Sequence, residues 1–179
     1  MKVLVTYASK NGSTEEIAET IADELLAYGL DVLCRSAHDT DASDADAVIL
    51  GSAVYAGRWL RPARHFLKDQ SDRLRRMPFW IFSSGPFGEQ ATRPTEDDLR
   101  WQEPPRVLTR AESLGVRGHV VFGGRLPTEP HGFIENAMVR NTPEDTRDAR
   151  DWSAIRMWAA SIAHELGAQE RIGRPVVSA

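Results

Sequence analysis

A single cysteine, Cys34, stands among the 179 residues, so no intrachain disulfide can form, as suits a reducing cytoplasm. It alternates with Val32 in an expected strand and reads as a small core residue. No run of about eighteen apolar residues occurs, and no transmembrane segment is expected. The opening MKVLVTYA enters a strand pattern at once, without the basic and apolar regions of an export signal, so a cytoplasmic location is expected. The pattern G-x-x-x-x-G-K-[ST] is absent, which argues against a P-loop nucleotide hydrolase. G-x-G-x-x-G is absent too, leaving a dinucleotide no close-approach turn. Without G-x-S-x-G, acyl transfer has no support. The five histidines (His38, His65, His119, His131 and His164) show no i, i+4 pairing, and no metal is expected. A net charge of −4 argues against nucleic acid as a partner.

With 41% hydrophobic and 27% charged residues, the chain reads as one globular domain over 1–179. Apolar runs at 2–7, 31–36, 46–51, 78–83 and 118–123 read as strands. The spacing of Ile17, Ala18, Ile21, Ala22 and Leu25 predicts a helix over about 14–28. A second is expected over about 60–74, with Pro62 in its first turn. The last, about 151–166, is expected to bury Trp152, Ile155, Trp158 or Ala159, Ile162 and Leu166. Continuous apolar strands separated by helices predict an α/β three-layer sandwich, a five-stranded parallel sheet of order 2-1-3-4-5 with helices on both faces. Ligands of such sheets bind where the strand order reverses, which selects residues 8–14 and 52–59. Two long stretches, 84–103 and 124–150, lack a clear pattern. The second reads as an irregular insertion before the last helix. Phe133, Ile134, Met138 and Val139 have helical spacing within it, as a lid or a surface turn.

The turn within Thr6–Thr14 (TYASKNGST) carries the chemistry of phosphate binding. Ser9, Asn11, Ser13 and Thr14 supply side-chain donors, Lys10 belongs to the same cofactor-binding turn, and Gly12 lets the backbone approach closely. The following helix N-terminus adds unpaired N–H groups and the positive end of its dipole. Charge-assisted hydrogen bonds of about 1.5–3 kcal/mol each outweigh a dipole term of about 0.3–1 kcal/mol. The competing reading is a capping box, with Ser13 and Glu16 closing the helix start and no ligand present. Glu15 and Glu16 suit the dipole and are expected on the outer face. One glycine in the turn favours a mononucleotide.

The run Ser9-Lys10-Asn11-Gly12-Ser13-Thr14 resembles the flavodoxin pattern T/S-x-T-G-x-T, with Asn11 where Thr is usual. With GSAVYAGRWLRPARHFL after the third strand and DTRDARDW before the last helix, the chain resembles a branch of the flavodoxin-like FMN proteins, the oxygen-independent protoporphyrinogen dehydrogenases. That resemblance implies FMN as cofactor, with Ser52, Ala53, Val54, Tyr55, Ala56, Gly57 and Trp59 along the isoalloxazine. Tyr55 and Trp59 are aromatic candidates for stacking, or else ordinary anchors of the second helix. Ser83, Ser84, Gly85, Pro86 and Phe87 would border the other edge of the ring. The implied partner is an electron donor or acceptor, a quinone or a redox protein, and self-association stays open. Relatives that use a membrane quinone have a longer, more basic and more apolar segment before the last helix, so membrane docking is not carried over.

Arg58, Arg61, Arg64, Lys68, Arg73, Arg75 and Arg76 face only Asp69 and Asp72 in one short stretch, so the remainder of the chain carries about −9 by subtraction from −4. This is either a solvated helix face or, through Arg58, Arg61 and Arg64, a landing strip for an anionic substrate or partner. A phosphoacceptor receiver shares the sheet order but needs acidic residues where Ala8-Ser9 and Gly51-Ser52 stand. A flavin-free interaction domain of the same fold is the remaining alternative.

Overall fold

Lys2–Ala8 (β1) buries Val3, Leu4, Val5 and Ala8, a burial only a strand covered on both faces tolerates. The computed structural model describes residues 1–38, 40–85, 104–130 and 132–169. Ala47–Tyr55 (β3) is buried through Ala53, and Phe79–Ser84 (β5) throughout. Asp31–Ser36 (β2) and Gly118–Phe122 (β6) are the edges, and a short strand, Arg58–Trp59 (β4), pairs antiparallel with β3. The order is β2-β1-β3-β5-β6, all parallel. Counting the parallel strands alone, this is the expected 2-1-3-4-5, with β4 as an addition.

Ser13–Ala27 (α1) and Trp152–Glu165 (α6) cover one face, where Ile17, Ile21, Leu25, Ile155 and Ile162 meet Val3, Val5, Ile49 and Phe82. Arg61–Asp69 (α2) and Pro105–Ser113 (α4) cover the other, where Phe66, Leu67, Val107 and Ala111 meet Leu4, Val48, Leu50 and Ile81. The helix expected over 60–74 divides at Gln70, after which Ser71–Leu74 forms its own turn (α3). The Ser71 hydroxyl donates back to the carbonyls of Leu67 and Lys68, competing with the helical ladder there. In α6 the buried positions are Ile155, Ala159, Ile162 and Ala163. Trp152, expected inside, is 37% exposed and instead carries the Arg150 guanidinium 4.5 Å above its ring.

The stretch 124–150 contains a helix, Gly132–Asn141 (α5), and a 3₁₀ turn, Glu144–Thr146. It returns to the sheet because a Cβ on Gly123 would lie 1.9 Å from the Ala149 carbonyl oxygen, so only glycine allows the two backbones to cross there. The Ala149 N–H donates to Gly124 O, and Leu126 N–H to Arg147 O. β1 has β2 on one side and β3 on the other, with Ala8 opposite Ser52 at their carboxyl ends. The crevice expected of a sheet reversal opens there.

Candidate functional site

The crevice opens to solvent and has a cavity volume of about 110 Å³. Four segments wall it: the turn after β1, the β3–β4 hairpin, the end of β5, and the crossing stretch after β6. From the turn come Ser9, Lys10, Asn11, Ser13 and Thr14. Gly12, at φ 80°, is the N-cap of α1, and it offers no side-chain cap. The Ser13–Glu16 capping box is therefore not formed. Ser13 is already inside the helix, and its hydroxyl accepts from the Arg125 N–H at 3.0 Å, leaving its own proton to donate. Glu16 turns to Arg125 (2.5 Å) and Arg150 (2.6 Å), and Glu15 accepts from the Tyr7 hydroxyl. Glu16 thus meets the crossing stretch while its side chain stays 40% exposed on the outer side of the helix start. Burial and the Glu15 hydrogen bond together push the Tyr7 phenol up. Burial, ahead of Glu19 and its neighbours, pushes the Cys34 thiol up to about 12, which favours the neutral thiol.

The hairpin contributes Ala53, Val54, Tyr55 and Ala56. Ala56 (φ 48°) and Gly57 (φ 67°) both lie in the left-handed region, the turn that closes a two-residue hairpin between Tyr55 and Arg58. It lifts Tyr55 to 38% exposure at the rim, where its hydroxyl accepts from Asn11 Nδ2 at 3.1 Å. Burial raises the phenol of Tyr55, and Lys10, 5.4 Å from the ring centroid, opposes that rise. Trp59 is different. It is 1% exposed among the α2-side core residues, with Nε1 donating to Ser83 Oγ at 2.9 Å. A ring sealed in the core has no face to stack on a ligand, so Trp59 is an anchor of the fold. Ser52 is also structural: its hydroxyl donates to Ala53 O and accepts from Leu60 N. Ser84 and Gly85 reach the crevice, whereas Ser83 lies beneath it. Pro86 and Phe87 fall outside the described residues.

The fourth wall is Gly124, Arg125, Leu126, Pro127, Glu135 and Met138, of which sequence reasoning had singled out Met138 alone. Helical spacing singled out Phe133, Ile134, Met138 and Val139 as a lid or a surface turn; Met138 reaches the crevice and Phe133 does not. Phe133 is 89% exposed while Glu135 is 5% exposed. The Glu135 carboxylate accepts from Lys10 Nζ at 2.5 Å and from Asn11 Nδ2 at 3.3 Å. This hydrogen bond raises the Lys10 ammonium above its ordinary value. The usable signal in the sequence was a lone acid inside an apolar-spaced helix opposite a donor-rich turn. Arg58, Arg61 and Arg64 are exposed and line no part of the crevice, although Arg58 pairs with Tyr55 at its rim. Among the described residues no group of three His, Cys, Asp or Glu could hold a metal, and no helix is long and apolar enough to cross a membrane.

A donor-rich turn at a helix N-terminus, facing an aromatic hairpin across the reversal of a parallel sheet, defines a mononucleotide-binding doubly wound α/β protein. Sequence comparison narrows the class. The chain belongs to the flavodoxin domain family, whose pattern matches residues 4–153. It is 28% identical over 176 residues to "Protoporphyrinogen IX dehydrogenase [quinone]" of Escherichia coli strain K12, covering 92% of this chain and 96% of that protein. It is 46% identical over 57 residues to "Probable flavodoxin 1" of Bacillus subtilis strain 168, a match spanning 30% of this chain and 36% of that one. The fold matches that of an archaeal flavodoxin with a TM-score of 0.61 at 16% identity, over 93% of this chain and 99% of the other. FMN is the cofactor of this family. The crevice fits it: an uncapped helix start with three hydroxyls and an amide suits a phosphate, and an exposed phenol at the rim suits a ring.

Proposed function

We propose that this protein is an FMN-dependent oxidoreductase whose substrate or electron partner is anionic, with protoporphyrinogen or a related compound as the leading substrate class. One observation carries the reading: the donor turn 9–14 and the exposed Tyr55 ring face a single crevice at the sheet reversal. In this reading Ser9, Asn11, Ser13, Thr14 and the first N–H groups of α1 hold the phosphate. Ala53, Val54, Tyr55, Ala56 and Gly57 run along the flavin, and Ser84 and Gly85 border its far edge. Bound FMN supplies the one- and two-electron chemistry. The chain's residues orient and bind. The hairpin holds Tyr55 as a flat wall, and the backbone at Gly57 can offer either a carbonyl or an N–H to a neighbouring group. Arg58, Arg61 and Arg64, following the hairpin, supply positive charge for carboxylate-bearing substrates or an acidic redox partner. The E. coli relative, by its title a quinone-linked dehydrogenase, supports a quinone as one acceptor.

The test is a titration of purified protein with FMN, followed by anaerobic mixing with protoporphyrinogen and a quinone. Quenching of flavin fluorescence at micromolar concentrations and porphyrin formation are expected. A protein that never takes up FMN would remove the reading and leave the flavin-free interaction domain. FMN uptake without turnover across several acceptors would leave an electron carrier.

A further inference from the structure

Glu135 sits where the proposed function needs an empty anion site. Its carboxylate is nearly sealed, with a side chain 7% exposed, and is held by Lys10 Nζ (2.5 Å) and Asn11 Nδ2 (3.3 Å). Both belong to the turn that offers donors to a phosphate. On the same helix the phenyl of Phe133 is left 89% exposed. Burying an acid and exposing a phenyl is the reverse of what the hydrophobic effect selects, so the pairing with Lys10 and Asn11 helps to hold α5 in place. The carboxylate uses the same type of contact a phosphate oxygen would use, and two anions cannot share one set of donors.

We infer that Glu135 is a built-in competitor for the cofactor phosphate, and that it sets how strongly the crevice prefers a phosphorylated flavin over riboflavin. This rests on the proposed FMN reading for the identity of the ligand, but its core is the contest between a carboxylate and a phosphate for Lys10 and Asn11. Lys10 is 53% exposed, so its ammonium stays within reach of an incoming anion while Glu135 is bound to it. Glu135 is thus a displaceable occupant. The Arg125 backbone bond to Ser13 and the Arg150–Glu16 pair hold the crossing stretch at α1 on either side of α5.

The experiment compares the wild type, Glu135→Gln and Lys10→Met by fluorescence titration with FMN and with riboflavin, and by thermal shift against inorganic phosphate. Glutamine keeps the shape of the side chain and removes its charge, and Glu135→Ala serves as a second variant should the first not fold. Glu135→Gln is expected to tighten FMN by up to about fivefold, the range that removal of one screened like charge gives. Riboflavin affinity should stay within about twofold, because riboflavin brings no anion. The phosphate concentration that half-stabilises the protein should fall in parallel with the FMN constant, and Lys10→Met should weaken both. Equal gains for FMN and riboflavin would place Glu135 against the ring and overturn the inference. Unchanged or weaker FMN binding in Glu135→Gln would make Glu135 a clasp for α5 and overturn it while the FMN reading stands. Neither flavin binding while the phosphate response still sharpens in Glu135→Gln would keep the inference and remove the FMN reading.

Discussion

Thr14 shows how a residue takes its meaning from its place in an element. It is 1% exposed, lies in the first turn of α1 and lines the crevice. Valine matches its shape but not its hydroxyl. In Thr14→Val one charge-assisted hydrogen bond of about 1.5–3 kcal/mol is lost, so FMN affinity should drop by at least about tenfold, with little change in the thermal midpoint of the apoprotein. Fluorescence titration checks this, and unchanged affinity would move the phosphate away from α1. The same reasoning sorts the two aromatic residues of the hairpin. Tyr55 and Trp59 are four positions apart and equally aromatic, yet one is a rim wall and the other a core anchor. The short β3–β4 pairing separates them, since it turns Trp59 down onto Ser83 while the tight turn at Ala56-Gly57 lifts Tyr55.

Among the elements, the crossing stretch after β6 has the most local interplay of charge. The Arg150 side chain is 3% exposed and bridges Glu16 and Asp148, both at 2.6 Å, while stacking over Trp152. Burial works against the charge of Arg150, and the hydrogen bonds to Asp148 and Glu16 outweigh it, raising the guanidinium further. The Arg150 hydrogen bond in turn holds the Asp148 carboxyl below its ordinary value. A carboxyl lowered in this way adds stability above its unfolded value of about 3.9 and gives it up as pH falls through the lower folded value. Arg150→Met is therefore expected to lower stability by about 1 kcal/mol near pH 7, because the exposed partners screen the pairs. The gap to wild type should narrow as the pH drops below about 4. Urea unfolding at a series of pH values measures it; a gap that stays constant with pH would assign the loss to packing on Trp152 alone.

Across the whole molecule, charge is divided between an acidic body and the basic stretch that opens with Arg58, Arg61 and Arg64, all three exposed. Such separation steers anionic partners and is screened beyond a Debye length of about 10 Å at 0.1 M salt. With FMN bound and reduced, the Arg61→Glu/Arg64→Glu protein should react about tenfold more slowly with ferricyanide at low salt. The difference should fade at high salt, and FMN affinity should be unaffected. Stopped-flow traces across a salt series decide it; rates equal at low salt would return the stretch to a plain solvated face.

Periodicity and turn chemistry determined the sheet order, α1 with its buried Ile17, Ala18, Ile21, Ala22 and Leu25, and the donor turn at 9–14. The helix and the turn depend on neighbours close in sequence, where side-chain spacing and backbone preference act directly, and the sheet order follows from the regular alternation of apolar strands with helices. The tertiary structure alone decided that Ser13 meets Arg125 instead of capping α1, that Trp59 is sealed, and that α5 buries Glu135 while exposing Phe133. Each depends on a partner far along the chain. Folding brings Lys10 and Asn11 to the buried acid at position 135, a pairing that the pattern of its own helix does not reveal.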